Sequence, residues 1–199
     1  MAGYALEDLV PYDRSGWYAL FEQYHQQTWP APLILFLMAS LLLWAAIRLL
    51  PKAPNGQSTV ADLVRWPVLL AIAMAWFWIA WQFHARVHLQ LNWAARSWAW
   101  AFGIEAIVLA WLAGHDLMQT QRPLRSLGKF STSVWLLPVL APPLVGWLLA
   151  GRSLMGLEVA GLAPDPTAWL TVLILILSAT RRAWPVLALM LLPALSLAL

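Results

Sequence analysis

Apolar residues run in long blocks along this chain, and polar residues collect between the blocks. The blocks are Leu33 to Leu50, Trp66 to Phe83, Ser97 to Gly114, Val134 to Ala150, Thr167 to Ala179, and Trp184 to the last residue. A helix of about 20 apolar residues crosses a hydrocarbon core of roughly 30 Å, and a spanning helix satisfies its own backbone. The pattern predicts an all-α integral membrane protein with about six transmembrane helices. Pro67 and Pro185 stand in the first turns of the second and sixth spans, where proline is well tolerated. Pro138, Pro142 and Pro143 lie inside the fourth, which is therefore expected to be bent or broken.

Residues 1–31 read differently. The start is acidic (Glu7, Asp8, Asp13) and lacks the basic opening and apolar core of a secretory signal. Ser15 is a candidate cap, and Trp17, Leu20, Phe21 and Tyr24 fall on one helical face. That spacing predicts a short amphipathic helix lying at the membrane interface, ended by Trp29-Pro30 and Pro32. The expected organisation is thus an N-terminal interfacial segment, 1–31, and a six-span membrane domain, 32–199.

Composition agrees with lipid as the solvent. Apolar residues make up 62% of the chain and charged residues only 11%, with a mean hydropathy of +0.68. A soluble domain carries about a quarter charged residues. The absence of cysteine removes disulfides, iron–sulfur clusters and thiolate metal sites. The net charge of +3 is scattered over short loops, without the basic block that binds nucleic acid. With the N-terminus outside, the inner loops hold eight basic residues (Arg48, Lys52, Arg65, Arg122, Arg125, Lys129, Arg181, Arg182) and the outer segments four (Arg14, Arg86, Arg96, Arg152). Lys and Arg are retained on the cytoplasmic side, so the expected setting is the inner membrane with both termini periplasmic.

Few residues carry chemistry. His84 and His88 are four apart, share a helical face, and are candidates for binding one divalent metal ion. His25 and Asn92 fall on the same outer side in this topology, giving an outer-face polar cluster of His25, His84, His88 and Asn92. The plainer alternative is interfacial histidines bonded to water, backbone or head groups. No other cofactor is expected. Glu105 lies well inside the third span, where a carboxylate costs roughly 2.5 kcal/mol or more and faces the bundle interior or a wet cavity. It reads as a proton relay, a cation ligand or a counter-charge, or else as a polar group holding the helices together. Trp76, Trp78, Trp81, Trp98 and Trp100 suit an aromatic belt. No nucleophile motif, phosphate loop or paired carboxylates occur, so enzymatic activity is not expected.

Three stretches resemble a known family. Phe21-x-x-Tyr24-His25-x-x-x-Trp29-Pro30 is similar to the opening of domain of unknown function 6064, a group of bacterial membrane proteins. Trp78 to Ala95 resembles its second stretch, with Phe83-His84 at an aromatic–His pair and Leu91-Asn92 at an Ile-Asn-Pro. Gly161 to Thr167 is similar to the segment before its last hairpin. The chain departs from the pattern at His25 (usually Asn), Trp93 (usually Pro) and Glu105 (where Gln is expected). The resemblance implies about six spans and brings no activity.

Two functions remain. The first expectation is an accessory or structural subunit of a larger membrane assembly, in contact with lipid, other membrane subunits or itself. The alternative is a small transporter or channel for a cation, metal or proton-coupled solute, using Glu105 and the outer-face histidines.

Overall fold

The computed structural model describes residues 14–31, 59–118, 144–149 and 151–177, with isolated positions between 33 and 41. The first expected span falls almost entirely outside the described residues, and so does the fourth up to residue 143. So do the sixth span, the three prolines of the fourth and most of the loop after His115. What is described is all-helical, with a single isolated bridge between Ala160 and Ala163 and no strand.

Helix α1 (Arg14–Thr28) comes first, followed by α2 (Thr59–Trp78). The chain then winds as a π-helix over Ile79–Val87 and tightens to a 3-10 turn at His88–Gln90. Helix α3 (Ala95–Met118) returns antiparallel to α2 and packs along it and along the π segment. A second 3-10 turn, Leu154–Gly156, precedes α4 (Pro164–Leu177). Among the described residues, two stretches are long and apolar enough to cross a membrane, Pro67–Gln90 and Ala95–His115.

The second span was expected to stop at Phe83, with His84 to Arg96 as a polar crossing. The helical path instead continues to Gln90, and the turn shrinks to Leu91–Ala94. Burial explains the difference. Phe83, His84, Val87 and His88 turn inward and are covered, so polar side chains extend the helix without meeting lipid. Asn92 makes the reversal: its Oδ1 accepts from the Ala94 amide at 2.9 Å and its carbonyl from the Ala95 amide at 3.1 Å. A short polar side chain that bonds the backbone two residues on is the device of an Asx turn.

Helix α1 forms where its periodicity predicted, but its apolar face does not lie on the membrane. Leu20, Phe21 and Tyr24 are buried against the π segment, and α1 packs on the Leu154–Gly156 turn. Phe21 stacks on Phe83 with ring centroids 4.7 Å apart, and Trp17 and Tyr24 meet Phe83 edge-on at 5.8 and 5.2 Å.

The segment 151–163 straps α1 from the other side. Arg152 lies over the Tyr18 ring at 3.3 Å. Ser153 donates to Glu22 at 2.9 Å, and the Trp17 indole donates to Glu158 at 3.0 Å. Gly161, at φ 94°, takes a left-handed turn suited to glycine, and its amide donates to Thr167 at 2.7 Å. Thr167 and Thr171 each donate back one turn, to Ala163 and Thr167. Thr171 also accepts from the Trp76 indole at 3.0 Å, which ties α4 to α2.

Candidate functional site

His25, His84, His88, Asn92 and Glu105 are all buried; the first four gather where the α2–α3 pair reverses, and Glu105 lies further along α3. The π segment places His84, and His88 opens the 3-10 turn that follows it. A π turn holds one more residue than an α turn and is common at functional sites. Here it leaves the two imidazoles side by side, ring centroids 5.2 Å apart, with Nδ1 facing Nδ1 at 3.1 Å. Phe83 and Phe102 press on the His84 ring at 4.8 and 5.0 Å, and Trp17 meets His88 edge-on at 5.7 Å. His84 Nε2 is buried without a hydrogen-bond partner.

His25 comes from α1. Its Nδ1–H donates to the Met155 carbonyl at 2.7 Å, which fixes the tautomer and leaves Nε2 as the buried, unpartnered lone pair. Burial pushes its pKa below the ordinary histidine value, opposed by the Met155 hydrogen bond. Burial pushes the Tyr24 phenol the other way, above its ordinary value, against the donated hydrogen bond from the Trp78 indole at 2.7 Å.

Glu105 is carried by α3, at the centre of the span Ala95–His115, with 4% of its surface exposed. It stands ten residues from the start of α3, roughly 15 Å along the axis at 1.5 Å per residue. Its Oε1 has no hydrogen-bond partner. Polar side chains of the neighbouring elements are engaged elsewhere: Arg86 donates to Gln82 at 3.3 Å, and Thr171 bonds Trp76 and Thr167. Phe102, one turn earlier on α3, stacks on Trp76 at 4.9 Å and also touches His84.

The structure therefore pairs His84 with His88 and sets them near the α3 face that carries Glu105. It gives His25 a different neighbour, the strap carbonyl, and Asn92 a turn-building role. Among the described residues, no group of three or more His, Cys, Asp or Glu side chains stands close enough to hold one metal ion. Sequence reading missed Met155, Glu158 and Arg152, which hold the strap over α1 from more than 100 residues away. The one signal pointing there was the family-like stretch beginning at Gly161.

Buried polar side chains on long apolar helices define a helical protein with two candidate membrane-spanning segments and a polar core. The chain belongs to a family of unknown function, DUF6064, whose pattern matches residues 14–198. Neither curated proteins nor solved structures gave a match.

Proposed function

We propose that this chain is a multi-pass inner-membrane protein of about six spans that brings a small cation, a proton or a metal ion, to a buried histidine–carboxylate centre, as a small transporter or channel does. The observation that carries this reading is Glu105, mid-span, buried and unsatisfied at Oε1. A carboxyl kept only to hold helices together is expected to sit in a hydrogen bond with a neighbouring helix. An intramembrane ionisable group without such a bond is by default a functional site. Its neighbourhood adds a second polar device, the His84–His88 pair.

The test is flux through the purified full chain in liposomes. Pyranine reports protons, and a divalent-sensitive dye reports Zn2+ or Co2+. Glu105→Gln keeps the side-chain shape, so it should retain the fold and abolish flux. Undiminished flux in that variant removes the reading.

The accessory-subunit reading rests on a different observation. Met74, Phe77 and Trp81 on the α2 side, and Trp100, Ile104, Ile107 and Trp111 on α3, are large and exposed. Lipid or a partner helix would cover such a wall. Purification in mild detergent discriminates: a stoichiometric partner protein favours the subunit, and a lone protein with flux favours the transporter.

A further inference from the structure

His84 Nδ1 and His88 Nδ1 share a hydrogen bond at 3.1 Å, one donating and the other accepting, and an ion bound by both would take the place of that shared proton. With metal–nitrogen bonds of about 2.0–2.1 Å, their separation of 3.1 Å closes an N–metal–N angle of about 100°. That lies between the angles of octahedral and tetrahedral sites, so the spacing of the two nitrogens suits one ion. Neutral imidazoles without thiolates suit zinc, nickel or copper rather than calcium or magnesium.

The unsatisfied atoms fit the same arrangement. A histidine bound through Nδ1 carries its proton on Nε2, and ligating histidines give that proton to a carboxylate, a carbonyl or water. His84 Nε2 and Glu105 Oε1 are both buried and both unpartnered. They are not bonded to each other in this structure, but they belong to elements packed together, with Phe102 touching His84 and lying one turn from Glu105 on α3, so the bond between them would form only with the ion in place. Metal on Nδ1 makes the first a donor, and a carboxylate makes the second an acceptor.

We propose that His84 and His88 chelate one late first-row divalent metal ion through their Nδ1 atoms, with Glu105 as the carboxylate that orients the His84 ring. This rests on the cation reading above and names its ion class and ligands. Among the described residues these two histidines are the ligands, which leaves coordination positions open to water or a further ligand, unlike a closed structural site.

The experiment uses the full chain in nanodiscs, stripped of metal and titrated with Co2+ and then Cu2+. One Co2+ per chain should bind with ligand-field absorption, and Cu2+ should show the hyperfine pattern of two imidazole nitrogens. His84→Gln and His88→Gln should each lower affinity 100-fold or more, estimated roughly from the loss of one of two chelating ligands. His115→Gln, at the far end of α3, should change nothing. Glu105→Gln should leave the Co2+ spectrum unchanged in shape while raising the required concentration about 10–100-fold. Glu105→Asp should recover part of that loss, which a purely structural role would not produce. The wild-type spectrum stands even if a variant fails to fold. Absence of wild-type binding below about 100 µM, a Cu2+ signal without imidazole nitrogen, or full affinity in His84→Gln overturns the proposal. Metal binding without flux removes the transport reading and leaves this site intact. Proton flux without metal binding does the reverse.

Discussion

His25 shows how one buried side chain couples stability to pH. Its Nδ1–H is committed to the Met155 carbonyl, and its Nε2 points into a region with no acceptor. Protonating Nε2 would bury a charge and an unsatisfied donor together, which is why burial lowers the pKa. The sign follows from proton counting. Below about pH 6.5 the unfolded chain protonates this histidine while the native state still resists, so the unfolded state binds more protons. The contribution is complete above that pH and is lost as pH falls toward the lowered native value. Tyr24 beside it does not titrate in this window, because its phenol is pushed upward. The thermal midpoint in detergent should fall between about pH 7.5 and 5.5, and His25→Asn should flatten the part that α1 contributes. Asparagine keeps a donor for Met155 and removes the titration. An unchanged pH slope in His25→Asn would show that His25 is not the group responsible.

At the scale of elements, α1 is held by what it stacks on. Phe21 is fully buried, face-to-face with Phe83 and edge-on to Trp17. Phe21→Ala leaves a ring-sized hole, so it should cost about 3–5 kcal/mol and release α1 to protease before α2 and α3 unfold. Intact protection of residues 14–28 in that variant would mean the strap alone holds the helix. Such packing was only half legible in the sequence. The period of Trp17, Leu20, Phe21 and Tyr24 announced an amphipathic helix, because a period of 3.6 residues is a local property. What covers the face is not local: Met155, Glu158 and Arg152 are distant in the chain, and the π winding that turns Phe83 toward α1 leaves no periodic mark. The same division holds at the site. The four-residue spacing of His84 and His88 foretold that they share a face, and an acidic residue in an apolar run foretold that Glu105 is buried. That Oε1 goes unpartnered depends on what the neighbouring helices offer, which no single stretch of sequence states.

The whole molecule gathers α1, the π segment and the 151–163 strap at one end of the α2–α3 pair, with Glu105 at mid-span. An even number of crossings must then separate these three regions if the helices span a bilayer. The sequence supplies two between residues 33 and 83 and two between 97 and 150, which meets that requirement. From the basic residues, eight against four, we propose that the gathered end faces away from the cytoplasm. The chain has no cysteine, so single introduced thiols report without background. Ser97 is exposed in the first turns of α3, and Ser58 immediately precedes Thr59, the first residue of α2, in the sequence. In intact cells, Ser97→Cys should react with a membrane-impermeant maleimide, and Ser58→Cys should react only after permeabilisation. The opposite pattern would invert the orientation while keeping the span between them. Equal labelling of both from one side would mean that Pro67–Gln90 does not cross the bilayer, and the cation path through Glu105 would fall with it.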